Sequence, residues 1–224
     1  MTAETARPTS SSSSPTTSVS GTRTSAGTPH RPTRATCDGG TRRGRRTVRV
    51  PEPAGAPVRA TVFHGPQDVR VEQVPDPQVQ TGRDAVVRVT HACVCGSDLW
   101  PYGGGLPKEA GTRIGHEFLG VVDAVGPDVT SVAVGDVVLS PFTWSCGSCE
   151  HCRRGLPSSC VRGGFFGGPA GDGGQGEAVR VPQADGTLVR LPAELAGAPR
   201  LQSVLPLTAV MPTGHHAAVS AGVE

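Results

Sequence analysis

Aromatic side chains are scarce in this 224-residue chain, which has five Phe, two Trp and one Tyr. So few, beside 31 Gly and 21 Pro, argue against a helical bundle and for a loop-rich β protein. Long apolar runs are missing as well. Nothing approaches the ~20 residues that a membrane span needs, and the N-terminus has no apolar core of a secretory signal. These absences point to the cytoplasm, where thiols stay reduced and clustered cysteines bind metal more often than they pair. Excess charge is also nearly absent, at +2 overall, but its distribution is uneven. Residues 1–57 hold nine Arg and three acidic residues, a balance of +6, and the remaining 167 carry −4.

The first segment, MTAETARPTSSSSSPTTSVSGTRTSAGTPH, is built mainly from Ser, Thr, Pro, Gly and Ala. It has too little apolar side chain to offset the entropy of ordering, so residues 1–57 read as a disordered, low-complexity basic tail, with RRGRR at 42–46 as its arm. Cys37 in this tail reads as a free thiol without function. Patterned sequence begins at Val58. VRATVF (58–63), VRVEQV (69–74), AVVRVT (85–90), LGVVDAV (119–125), DVVLS (136–140), EAVRV (177–181) and TLVRL (187–191) are Val-rich and partly alternating. Separated by Gly, Pro or Asp, they read as strands with one face buried. A helical stretch comes only in 206–223, where Pro212 and Gly214 should interrupt it. Strands in succession with few helices predict a mainly β fold, a partly closed barrel or sandwich.

Four of the seven cysteines fall in CGSCEHCRRGLPSSC, as C-x2-C-x2-C-x7-C. The spacing lets Cys146, Cys149, Cys152 and Cys160 converge on one tetrahedral zinc ion. Four thiolates leave no position open for a substrate, so such a site is structural. Two disulfides or chance clustering are the rival readings, and a reduced compartment favours zinc. Arg153 and Arg154 are placed to soften the negative charge of the cluster.

A second set is dispersed. CGSD (95–98) ends one strand-like stretch and GHEF (115–118) begins the next, so Cys95 and His116 sit at strand ends. Asp98 could accept a hydrogen bond from the far ring nitrogen of His116, as metal-binding imidazoles require. Ser97 offers a hydroxyl able to pass a proton. Cys93 shares the strand face of Cys95 and reads as packing; His91 and His151 read as surface residues. GDGGQG (171–176) matches the G-x-G-x-x-G dinucleotide pattern, but a glycine-rich loop precedes it and a strand-like stretch follows, so it reads as a loop.

Taken in order, VRATVFHGPQDVRVEQVPDP, CGSD, GHEFLGVV, VGDVV and the cysteine lobe resemble medium-chain zinc-dependent alcohol dehydrogenases. The match is to their N-terminal catalytic domain, a GroES-like barrel. The resemblance implies a catalytic domain over 58–204, with its structural-zinc lobe at 144–162, and the start of a helical connection to a cofactor domain at 205–224. It implies a catalytic zinc on Cys95 and His116, Ser97 as relay for the alcohol proton, and Asp98 as the group orienting His116. Its cofactors would be one structural and one catalytic zinc, with NAD or NADP in an intact relative, and its substrate a small alcohol, polyol or aldehyde.

The chain departs from the family pattern in two places. Many relatives carry a third zinc ligand just ahead of a Thr-Gly pair; here that position is Ala209, which has no donor. Polyol-dehydrogenase-like relatives instead use the glutamate of GHE with a second glutamate nearby, which points to Glu117, with Glu177 close or bound through water. His215 and His216 follow the Thr-Gly pair, near the expected cleft. The chain also stops at SAGVE, where a dinucleotide domain of on the order of 100 residues should follow. The expectation is a catalytic half with little or no turnover by itself. The competing class is a non-catalytic zinc module docking on nucleic acid through its Arg-rich tail. The net acidic folded part and the lack of interleaved aromatics weigh against it.

Overall fold

The structure, a computed structural model, describes residues 55–196 and 200–223. The expectations for the tail, including its disorder, its nucleic-acid role and the free thiol at Cys37, concern residues that lie almost wholly outside this range. Ten strands are found among the described residues: β1 (Val58–Gly65), β2 (Asp68–Val74), β3 (Ala85–Ala92), β4 (Thr112–Arg113), β5 (Phe118–Val125), β6 (Val137–Ser140), β7 (Thr143–Trp144), β8 (Gly164–Phe165), β9 (Ala178–Val181) and β10 (Val189–Arg190). The Val-rich stretches supply the longer strands. TLVRL does so only in part, because Thr187 closes a short helix, α3, below.

The strands form antiparallel sheets in the orders β2-β1-β4 and β10-β6-β5-β3-β9, with a small β7-β8 ribbon. The two larger sheets meet along residues 175–177. There Ala60 bridges Gly176, the Thr61 N–H donates to the Gln175 carbonyl (2.8 Å), and the Glu177 N–H donates to the Arg59 carbonyl (2.9 Å). The result is two sheets joined along a short seam rather than one continuous ring of strands.

Successive side chains of a strand point to opposite faces. In β5 both faces are covered: Phe118 packs with Val87, Trp144, Phe166 and Val179, while Leu119 packs with Leu139, Leu191, Leu201 and Val204. This explains why FLGVV reads as an unbroken apolar run. A buried ion pair ties β9 to the start of β3, with Arg180 Nη1 3.0 Å from Asp84 Oδ2. Asp84 also accepts from the backbone N–H groups of Gln80 and Thr81 and from the Thr81 hydroxyl, so its burial is compensated.

Helices are short: α1 (Leu99–Tyr102), α2 (Glu150–Arg153), α3 (Ala184–Thr187), α4 (Leu201–Val204) and the longer α5 (Val210–Ser220). The interruption expected at Pro212 and Gly214 does not occur, and α5 runs through both. Pro212 is the third residue of this helix. The first four N–H groups of a helix have no partner within it, so a proline there loses no hydrogen bond. Gly214, two residues further on, costs about 1 kcal/mol against Ala and does not break the helix.

Two candidate metal centres

The cysteine lobe is built by local chain geometry. Gly147, directly after the first cysteine, adopts φ +65, a left-handed conformation that glycine takes without strain. The chain thereby turns so that the Cys149 N–H donates to Cys146 Sγ (3.3 Å), while the Cys146 N–H donates to Cys160 Sγ (3.2 Å). All four sulfurs lie within 4.8 Å of one another. Adjacent pairs stand at 3.5 Å (Cys149–Cys152), 3.9 Å (Cys149–Cys160) and 3.5 Å (Cys146–Cys160). Disulfide sulfurs are bonded at about 2.05 Å. Zinc–sulfur bonds of about 2.3 Å in a tetrahedron place sulfurs roughly 3.8 Å apart. The four thiols therefore fit a zinc ion and are not paired in disulfides.

The cationic help comes from a residue the spacing did not suggest. Arg162 Nη2 donates to Cys146 Sγ at 3.4 Å and to Ser148 Oγ at 3.1 Å. Arg154 is engaged instead by Glu150, one helical turn away, at 2.9 Å. Burial works against ionisation of Cys146, but hydrogen bonds from Ser148 and Arg162 outweigh it and bring the thiol down to about 5. Burial and the neighbouring thiols push Cys152 up to about 11.

The second centre forms where β3 and β5 end. The register pairs Ala92 with Phe118, which sets Cys93 opposite Glu117 just beyond the ladder. The chain then reaches Cys95 and a single 3-10 turn, Gly96–Asp98. On the facing side Gly115 takes φ +97, and a Cβ there would stand 2.4 Å from Gln175 Cγ, so only glycine lets the chain pass into His116. Donor atoms of Cys95, His116 and Glu117 lie within 4.8 Å of one another.

Asp98 Oδ1 is 3.5 Å from Nδ1 of His116, on the side expected for an orienting carboxylate, and Ser97 Oγ is 3.2 Å from Nε2. The Asp98 carboxylate, opposed by burial and aided by the Cys95 thiol, raises the imidazole to about 9. Asp98 is itself pinned by the Cys95 N–H (3.0 Å) and by Gln175 Nε2 (3.2 Å). Glu117 is 3% exposed, and its Oε1 is a buried carboxylate oxygen without a hydrogen-bond partner. Such an atom is costly unless something else satisfies it, and a cation held with Cys95 and His116 would do so.

Other expected site residues are placed as follows. Glu177 lies outside this trio, for a physical reason: Arg59 claims its carboxylate through Nη2 (2.6 Å), Nε (2.9 Å) and its backbone N–H (2.7 Å). Ala209 is buried at the start of α5 and offers no donor. His215 and His216 are exposed on α5, whereas His91 and His151, expected at the surface, are half-buried.

GDGGQG is a loop that leads directly into β9 rather than into a helix. Its glycines pack close to neighbouring chain: a Cβ on Gly174 would stand 2.2 Å from the Phe118 ring. This close packing carries Gln175 to Asp98, a contact no motif announces. Lys108, donating to the Gly167 carbonyl, is a further unannounced neighbour; burial lowers its ammonium while Asp98 opposes the shift.

Residues 81–193 match the alcohol dehydrogenase GroES-like domain. The chain is 43% identical over 164 residues to zinc-type alcohol dehydrogenase B of Aspergillus flavus, covering 73% of this chain and 37% of that one. The solved alcohol dehydrogenase TADH from Thermus sp. ATN1 is 43% identical with a TM-score of 0.57, over 60% of this chain and 40% of that one. An alcohol dehydrogenase from E. coli CFT073, solved with NADH, is 32% identical with a TM-score of 0.54, over 63% and 40%. The chain thus spans about half or less of the curated relatives it matches, with shares of 37%, 55% and 47% for three of them. With this fold and the two clusters it carries, the chain belongs to the medium-chain zinc-dependent alcohol dehydrogenase family, through its GroES-like domain.

Proposed function

We propose that this chain supplies the metal-holding and proton-transferring part of an NAD- or NADP-linked alcohol dehydrogenase acting on a small alcohol, polyol or aldehyde. The observation that carries this reading is the buried Glu117, whose Oε1 is unpartnered and whose carboxylate clusters with Cys95 and His116. A thiolate, an imidazole and a carboxylate form a donor set suited to zinc with a position left for substrate. In this reading Cys95, His116 and Glu117 hold the catalytic ion, and Cys146, Cys149, Cys152 and Cys160 hold a second, structural one. Glu177 serves as the partner of Arg59.

Zinc, when bound, polarises an alcohol oxygen and favours loss of its proton. The chain's own residues do the rest of what is proposed here. Asp98, fixed by Gln175, keeps a proton on Nδ1 of His116 and so leaves Nε2 as the donor nitrogen. Ser97, exposed and next to that nitrogen, takes the alcohol proton and passes it to solvent. A nicotinamide cofactor would supply the hydride acceptor, a chemistry that belongs to the cofactor.

No strand, glycine turn and helix of the dinucleotide-binding type stands among the described residues, so the 224-residue chain alone is proposed to bind metal without efficient turnover. NAD-linked oxidation of simple alcohols at an ordinary enzyme rate by this chain would overturn that part. No helix of the described residues is long and apolar enough to cross a membrane, and the unpaired thiols fit a reducing compartment, which we take to be the cytoplasm.

The direct test is zinc per chain by elemental analysis of metal-replete protein, repeated on Cys95→Ser. Two ions falling to one is the expected result. One ion, unchanged by the substitution, would mean that the cysteine lobe holds the only metal.

A further inference from the structure

The strand register that builds the Cys95–His116–Glu117 trio also delivers a residue no motif singles out. Cys93 stands opposite Glu117, and the two are joined twice. The Cys93 N–H donates to the Glu117 carbonyl at 3.2 Å, and the Cys93 thiol donates to Glu117 Oε2 at 2.6 Å. The two oxygens of one carboxylate are therefore in different situations. Oε2 is occupied by the thiol proton and Oε1 is buried with no partner, on a carboxylate that clusters with Cys95 and His116.

We propose that Cys93 is a positioning residue for Glu117: its thiol ties down Oε2, so that the carboxylate presents the single oxygen Oε1 to a divalent cation held with Cys95 and His116. The inference rests on the metal reading above and adds a determinant to it. A glutamate side chain has three torsions and a two-fold carboxylate, and without a fixed partner it can chelate through both oxygens or swing away. A donor on one oxygen removes both options. Hydrogen-bond partners of metal-ligating carboxylates typically contribute 10–100-fold to metal affinity. Cys93 itself stands outside the set of atoms that converge on the cation, so its role is to aim a ligand.

The test compares the full chain with Cys93→Ala, Cys93→Ser and Cys95→Ser, each titrated with Co2+. Binding is followed by the visible ligand-field spectrum, and chelator competition measures affinity. Cys95→Ser reports the cysteine lobe alone and is subtracted. For Cys93→Ala the expected result is a loss of roughly 10–100-fold in affinity at the second site, with an altered ligand-field band and an unchanged lobe signal. Cys93→Ser keeps a donor and should restore most of the affinity and the original band.

An unchanged second-site affinity and spectrum in Cys93→Ala would overturn the positioning role while leaving the metal reading intact. A serine variant as weak as the alanine one would overturn it too, because restoring a donor would then restore nothing. Uptake of one Co2+ by the unmodified chain, in the lobe only, would instead overturn the metal reading and the role of Cys93 with it.

Discussion

Arg59 and Glu177 clasp each other across the seam between the two sheets. Three hydrogen bonds run from the arginine to the carboxylate, and one returns from the Glu177 N–H to the Arg59 carbonyl. The clasp joins the two sheets, and it also separates the fates of two glutamates. Glu177 is about half exposed and fully partnered; Glu117 is buried with one oxygen unpartnered.

The two glutamates should therefore respond differently to the same change. Glu117→Gln is expected to lower affinity for the second metal by more than about tenfold, because an amide offers the cation no charge. Glu177→Gln should leave two metals per chain bound with unchanged affinity. Elemental analysis with chelator competition reads both. Equal losses in the two variants would show that Glu177 also contributes to the cation.

Among the described residues, Arg162 is the one guanidinium in contact with the lobe sulfurs. Arg162→Ala removes a positive charge and an N–H donor from Cys146, so transfer of the lobe zinc to a chelator should become several-fold faster. Arg154→Ala, which breaks only an exposed pair with Glu150, should leave that rate alone. Transfer rates are read with a chromogenic chelator at neutral pH.

Asp185 gives the fold an acid-sensitive clasp beside the cysteine lobe, where it lines one pocket with Cys146, Gly147 and Ser148. Burial works against its ionisation. The N–H groups and hydroxyls of Ser131 and Thr130, at 2.8–3.1 Å, outweigh that and hold its carboxyl below the usual carboxylate range. A depressed folded value means that the stabilisation is fully present above about pH 4 and is lost as pH falls through the folded value. Asp185→Asn should cost about 1 kcal/mol at neutral pH, a figure held down by solvent exposure of the group. The gap to the unmodified chain should narrow below pH 4. Urea unfolding at pH 7 and pH 3 measures it, and a gap that is the same at both would rule the clasp out.

Much of this protein could be read without coordinates. Four ligands within fifteen residues can meet only if the local chain turns back on itself, and two-residue gaps with a glycine make it do so. Val-rich runs separated by Gly, Pro or Asp mark where the longer strands lie. CGSD and GHE place Cys95, Ser97, Asp98 and His116 at converging strand ends, and the family resemblance adds Glu117.

What remained hidden was decided by register and by packing between distant segments. Cys93 meets Glu117 because β3 pairs with β5 at Ala92 and Phe118, across 24 residues of sequence. Gln175 reaches Asp98, 77 residues away, because the glycines around it allow close approach to Phe118 and the 113–115 segment. Glu177 meets Arg59 through a strand seam that no local pattern specifies. Local spacing encodes which donors can share an ion. Only the tertiary fold decides which neighbours orient them, because those contacts depend on how whole sheets align.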